Sequence, residues 1–227
     1  MSLLLLDLDN TLIDRTAAFG TWCVRFVAQF GGGAQEAQWL IGADRDGYQP
    51  RRQLAEAIRE RYTLTRSTDS IVEALMMEHL ADIRVQPNVL DALTAASAAG
   101  WTPVVVTNGD ARQQEAKLAL SGLDRHLSGS VISGAVGVRK PDARIFRKAA
   151  AATGIGLDGG WMVGDHPVAD IEGGRAAGLS TAWITRGRQW DTSIPPPTLT
   201  ARSCAEAIAR IVGGQSHSHR LPSRPGA

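Results

Sequence analysis

The stretch from Leu3 to Thr11 constrains this chain most. Four consecutive leucines (3–6) stop at two carboxylates two positions apart, Asp7 and Asp9, with the hydroxyl of Thr11 two positions further on. An apolar run this short, ended by polar groups, predicts a buried strand that delivers acidic side chains at its tip. Three later stretches repeat the arrangement. Residues 103–106 end in Thr107, Asn108 and Gly109, residues 161–163 in Gly164 and Asp165, and residues 181–184 in Thr185, Arg186 and Gly187. Short apolar strands separated by helical patterning predict an α/β fold, a parallel sheet covered on both faces. Ligands in such sheets sit beyond the carboxyl ends of the strands, so Asp7, Asp9, Thr107, Asn108 and Asp165 are candidates to converge on one crevice.

Taken in order, Asp7 to Thr11, Val104 to Gly109, Gly137 to Asp142 with Lys140 among them, and Val163 to Asp170 resemble the four motifs of the haloacid-dehalogenase-like hydrolase superfamily. The resemblance runs from Ser2 to about Gly187 and points to the phosphatase branch with a helical cap after the first motif. It implies a Rossmann-like core, an aspartyl-phosphate formed on Asp7, and Asp9 as the acid and then the base. It also implies Mg²⁺ on Asp7, the backbone carbonyl of Asp9, and Asp165, with Asp170 in support directly or through water. Thr107, Lys140 and backbone N–H groups near Asn108 and Gly109 would hold the phosphoryl oxygens, and Thr11 would bind substrate or brace the loop.

Basic and acidic residues nearly cancel, 24 against 23, so neither a nucleic acid nor an anionic membrane is expected as a partner. No basic segment precedes the leucines and Asp7 interrupts them, which argues against a signal peptide. No later window approaches the ~20 apolar residues of a membrane span. The expectation is a cytoplasmic protein, monomer or homodimer, acting on a small-molecule phosphate ester. Cys23 and Cys204 have no metal-ligand spacing and read as small buried side chains.

Residues 15–86 carry helical spacing and no clear strand. Phe19, Trp22, Cys23, Phe26, Val27 and Phe30 recur at three- and four-residue intervals, ended by three glycines (31–33). Further helices are expected over 34–41, from Pro50 to about Tyr62, and from Ser70, where Ser70 and Glu73 have capping-box spacing. The expected division is therefore an α/β core at 1–14 and 87–212, a helical cap at 15–86, and a disordered tail at 213–227. An insert placed directly after the strand that carries Asp7 has both connections beside the crevice, where a lid can exclude water. Its acidic and basic residues balance, so its charge selects no highly anionic substrate, although Arg51 and Arg52 form a local cluster. Trp22, Trp39 and Tyr48 read as core or as stacking groups, and Arg15 as the partner of Asp14 or a group reaching the substrate.

In the core, Asp110 caps a helix over 110–121, a short strand falls near 130–133, and Pro141 begins a helix through Thr153. Ser203 and Glu206 cap a last helix to about Val212. Phosphate monoesters resist anionic nucleophiles, and a unit cation at ~4 Å offsets roughly 4 kcal/mol of repulsion at an effective dielectric near 20. Lys140 and a hard divalent ion supply two such charges. Two adjacent carboxylates disfavour joint ionisation, so one of Asp7 and Asp9 can stay protonated as a general acid. The oxygen-rich set disfavours His166 as a ligand, and His217 and His219 read as tail residues. A dehalogenase needs no second aspartate, a phosphomutase must exclude water, and a non-catalytic binder of phosphorylated ligands is free to lose residues that are all present here.

Overall fold

The computed structural model describes residues 1–191 and 193–218. Six parallel strands form a sheet in the order β3-β2-β1-β4-β5-β6: β1 (Ser2–Leu6), β2 (Trp101–Thr107), β3 (Ser130–Ile132), β4 (Trp161–Gly164), β5 (Ser180–Ile184) and β6 (Leu199–Ala201). Between β1 and β2 lie α1 (Arg15–Ala28), α2 (Ala34–Asp44), α3 (Arg51–Arg61), α4 (Thr68–Met77) and α5 (Val89–Ala98). After β2 come α6 (Ala111–Ser121), α7 (Ser133–Val136), α8 (Ala143–Thr153), α9 (Gly173–Ala176) and α10 (Cys204–Ser218).

The leucine run occupies the middle of the sheet because both of its faces are apolar. Leu4 and Leu6 pack with Val105, Val163, α5 and α10, whereas Leu3 and Leu5 pack with Val104, Val106 and α8 on the other side. Alternate side chains of one strand thus supply two layers, which is why the run is continuous rather than alternating. Leu6 pairs with Val105 on β2 and Val163 on β4, so Asp7, Thr107 and Asp165 emerge at the same end of the sheet. The chain lays β2 and β3 on one side of β1, then crosses back to lay β4 on the other. This reversal opens a crevice beyond the ends of β1 and β4.

Helices α1–α4 enclose a core of their own, built from Phe19, Trp22, Phe26, Leu40, Leu54, Ile58, Ile71 and Leu75 among others. Their two connections to the sheet pair with each other: Asp14 N donates to Arg84 O at 3.0 Å, Gln86 N donates to Leu12 O at 2.9 Å, and Ile13 bridges Val85. Cys23 is buried here and Cys204 under the sheet, both as free thiols.

Several boundaries differ from the sequence reading. Ser67, not Ser70, caps α4; its hydroxyl accepts from Ser70 N, because Ser67 is the residue with extended backbone. Asp142 caps α8, so Pro141 stands outside that helix, after a cis bond from Lys140. Strand β6 was not expected: it has three residues, follows a proline run, and leaves Thr200 exposed, as an edge strand can. Helix α10 runs past Val212 to Ser218, since the glycines at 213 and 214 weaken a helix without ending it. Residues 219–227, with His219, lie outside the described residues.

Candidate active site

Asp7 sits where β1 ends, with its N–H still donating to Val163 O at 2.9 Å. The chain then turns: Leu12 N and Ile13 N both donate to Leu8 O, which brings the Thr11 hydroxyl back to donate to Asp7 Oδ2 at 3.1 Å. Thr11 is buried, so it braces the carboxylate rather than facing the cavity. The Lys140 ammonium donates to Asp7 Oδ1 and to Asp170 Oδ1, both at 2.7 Å. Asn108 places this lysine: its amide donates to Lys140 O at 3.0 Å and accepts from Lys140 N at 2.8 Å. The Asn108 side chain is therefore spent on positioning. Gly109 N donates to Ser133 Oγ at 3.0 Å, so this N–H is not free for a phosphoryl oxygen as the sequence suggested.

Asp165 follows β4, and its Oδ2 accepts from Arg186 Nη1 at 3.0 Å and Arg188 Nη2 at 3.1 Å. Asp170 lies on a π-helical stretch, Pro167–Glu172, and its Oδ2 accepts from His166 N at 2.9 Å. His166 caps that stretch, its Nδ1 accepting from Val168 N and Ala169 N, which leaves it a structural role. Asp7, Asp165 and Asp170 each offer an oxygen within 4.8 Å of the others, the one such group among the described residues.

Burial raises the Asp7 carboxyl to about 8, with Asp170 and Asp165 adding to the rise against the pull of Lys140. Burial, with Asp170, likewise raises Asp165 to about 6. Lys140, which burial alone would discharge, is held protonated by Asp170 and Asp7. Three carboxylates converge in one buried cluster and their donors are all hard oxygens, so this set fits a small divalent cation such as Mg²⁺.

Asp9 differs from expectation. Burial would raise its carboxyl, but Lys117, joined by Arg15 and Gln114, outweighs this and holds it below the usual carboxylate range. The Lys117 ammonium donates to both Asp9 oxygens, at 2.8 and 2.7 Å, and Gln114 Nε2 donates to Asp9 Oδ2 at 3.1 Å and to Thr107 Oγ1 at 2.7 Å. Of the two neighbouring carboxylates, Asp7 is the one pushed toward protonation.

Asp7, Asp9, Thr107, Lys117, Lys140, Asp165 and Asp170 line a cavity of about 670 Å³, walled from the insert by Arg15, Asp46, Tyr48 and Arg51. Arg15 does not pair with Asp14, which caps α1; it donates to buried Asp44 at 2.6 Å. Asp44 also takes Arg51 at 2.5 Å, while Arg52 pairs with Asp69, so the arginine cluster is already neutralised. Trp22 and Trp39 belong to the insert's core, whereas Tyr48 faces the cavity with its ring 5.3 Å from His166. The sequence reading missed Gln114, Lys117, Asp44, Asp46, Arg186 and Arg188. The one signal available was that Gln114 and Lys117 share a helix face with Leu118.

A family model described as haloacid dehalogenase-like hydrolase matches residues 1–178. The phosphoserine phosphatase of Thermus thermophilus is 37% identical over 116 residues, 51% of this chain and 47% of that one. The glyceraldehyde 3-phosphate phosphatase of Methanopyrus kandleri is 34% identical over 111 residues, 49% of this chain and 48% of that one. The chain thus spans about half the length of these curated relatives. Among solved structures, a putative beta-phosphoglucomutase from Thermotoga maritima superposes with a TM-score of 0.77 at 14% identity, covering 96% of this chain and 99% of that one. A HAD phosphatase from Thermococcus onnurineus superposes at 0.68 with 18% identity, covering 94% and 98%. Both structural matches concern the fold alone. With the motif residues gathered at one end of a six-stranded parallel sheet and the family model matched over most of its length, the chain belongs to the haloacid dehalogenase-like hydrolase family.

Proposed function

We propose that this protein is a Mg²⁺-dependent phosphatase of small phosphorylated metabolites, working through an aspartyl-phosphate on Asp7. The observation that carries the reading is the meeting of Asp7, Lys140, Asp165 and Asp170 in one buried cluster, with Asp9 and Thr107 lining the same cavity. Asp7, Asp165, the Asp9 carbonyl and Asp170 would hold the cation, and a bound Mg²⁺ would offset the charge of the nucleophile and of the phosphoryl oxygens.

The residues divide the remaining work. Thr11 and Lys140 fix the two oxygens of Asp7, so the carboxylate meets phosphorus in one orientation. Lys140 and Thr107 stabilise the phosphoryl group as charge spreads over its oxygens. Asp9 would give a proton to the leaving oxygen and regain one from the water that releases phosphate, and a cation held beside Asp7 would favour the ionised nucleophile that burial opposes. The pairing of Asp9 with Lys117 favours the ionised form that the second half requires. Helices α1–α4 act as a cap: their aromatic core is separate from the core of the sheet, and the paired connections at Leu12 to Asp14 and Arg84 to Gln86 form the hinge. Asn108 and Arg15 support the site without touching the Asp7 carboxylate, whereas Thr11 holds one of its oxygens.

The relatives named as phosphatases support this reading over a dehalogenase, as does the presence of Asp9. The test is phosphate release from sugar phosphates, nucleoside monophosphates, phosphoserine, phosphoglycolate and an aryl phosphate, with Mg²⁺ or chelator. Release that needs Mg²⁺ and disappears in Asp7→Asn is expected. Release that survives Asp7→Asn, or is absent from every ester, would refute the reading.

A further inference from the structure

Behind Asp9 stands a lysine whose placement the chemistry above does not explain. Lys117 lies on α6 with its side chain only 2% exposed, and its ammonium binds both oxygens of Asp9, which is itself 25% exposed toward the cavity. Gln114, three residues earlier on the same face and fully buried, joins Asp9 to Thr107 through a single amide nitrogen. Apolar side chains often fill such a position at least as favourably as a buried ion pair, so packing alone gives no reason for an ammonium here.

Geometry supplies one. An aspartate side chain has several staggered orientations, but a carboxylate whose two oxygens are both bound from one side keeps only one. Helix α6 starts at Ala111, capped by Asp110, immediately after the turn that follows Thr107. One rigid helix face therefore sets the placement of the proton-carrying carboxylate relative to the hydroxyl that holds the phosphoryl group.

We propose that Lys117, supported by Gln114, is a positioning residue that aims Asp9 at the water hydrolysing the aspartyl-phosphate on Asp7; this rests on the phosphatase reading above. In that step the water oxygen bonds to phosphorus, the phosphorus–oxygen bond to Asp7 breaks, and the water's proton passes to Asp9. Inorganic phosphate leaves and Asp7 is restored as a carboxylate. Lys117 gives and takes no proton.

The experiment uses p-nitrophenyl phosphate, whose leaving oxygen needs little protonation, so formation of the aspartyl-phosphate proceeds while its hydrolysis slows. A misplacement on the ångström scale costs on the order of a hundredfold. In Lys117→Met, kcat should fall by about that factor and KM with it, leaving kcat/KM within about threefold of wild type. A burst of about one nitrophenolate per enzyme should appear, with phosphorylated Asp7 detectable by mass after acid quench. Lys117→Arg, which can restore both hydrogen bonds, should recover part of kcat. A folded Lys117→Met with unchanged kcat, or with kcat and kcat/KM reduced equally and no burst, would overturn the proposal. Should Lys117→Met fail to fold by circular dichroism, Gln114→Met decides by the same split, with a smaller loss expected. Wild-type protein that releases nothing from any ester would instead defeat the phosphatase reading, and the proposal with it.

Discussion

His79 follows α4 on the 3₁₀ turn Glu78–Asp82, buried and edge-on to Phe19 at 5.6 Å, and neither ring nitrogen has a hydrogen-bond partner among the described residues. Burial, with Lys117 and Arg15 nearby, lowers its pKa to about 3. Between pH 6.5 and about 3 the unfolded chain therefore binds this proton and the folded chain does not, so the group's contribution to stability is complete above pH 6.5 and falls as the pH drops. The slope is about 1.4 kcal/mol per pH unit. His79→Phe should flatten the acid side of the stability profile by up to this slope, read as urea midpoints between pH 7 and pH 4; an unchanged profile would show that His79 protonates without penalty. The same residue shows why some of the site was invisible beforehand. Nothing in the sequence around His79 marks it, because its nearness to Lys117 and Arg15 is a property of the folded chain.

At the scale of elements, the end of β4 is shaped by what it lacks. A methyl group built on Gly164 would overlap the Asp170 side chain, so the absence of a side chain there is what lets the π-helical stretch fold Asp170 back against Lys140. On the proposed Mg²⁺-dependent phosphatase reading, Gly164→Ala should displace Asp170, lowering kcat by tenfold or more and weakening Mg²⁺ activation in a metal titration; preserved activity would mean that Asp170 can shift without consequence. The strand tips themselves were legible in the sequence, since each short apolar run ended in Asp, Thr or Gly. Three elements were not. The cap of α4 moved to Ser67 because two serines three residues apart offer equivalent side chains and only backbone conformation separates them. Strand β6 has too few residues for a pattern; reciprocal bonds between Thr181 and Thr198, at 3.1 and 3.3 Å, help pin it. Lys117 carries no mark in the sequence, because its partner Asp9 lies on another element, far away in the chain.

At the scale of the molecule, the insert meets the core beside the cavity through Asp46. Its carboxylate accepts from Asn10 at 3.2 Å, Thr16 at 2.7 Å and Arg186 at 2.9 Å, and Arg186 also holds Asp165. A second contact lies across the cavity, where Gln113 donates to Met76 O at 2.5 Å and Arg112 pairs with Glu73. Asp46 is 38% exposed, so its ion pair adds little to folding stability, under about 1 kcal/mol. On the proposed cap reading, Asp46→Ala should raise KM severalfold while the unfolding midpoint stays nearly constant, and a large loss of stability with KM unchanged would refute that role.

The sequence by itself determined that the chain is a parallel α/β protein with a helical insert after its first strand. It also pointed to Asp7, Asp9, Thr107, Asn108 and Asp165, because strand-tip chemistry is a local property of neighbouring residues, while Lys140 and Asp170 came from the resemblance to the family's ordered motifs. Only the tertiary structure decided which cation each carboxylate meets: Asp9 takes Lys117, Asp7 and Asp170 share Lys140, Asp165 takes Arg186 and Arg188, and Asp44 takes Arg15. The physical reason is that ion pairing depends on distance and burial across elements far apart in the chain, and no residue's sequence neighbours record either.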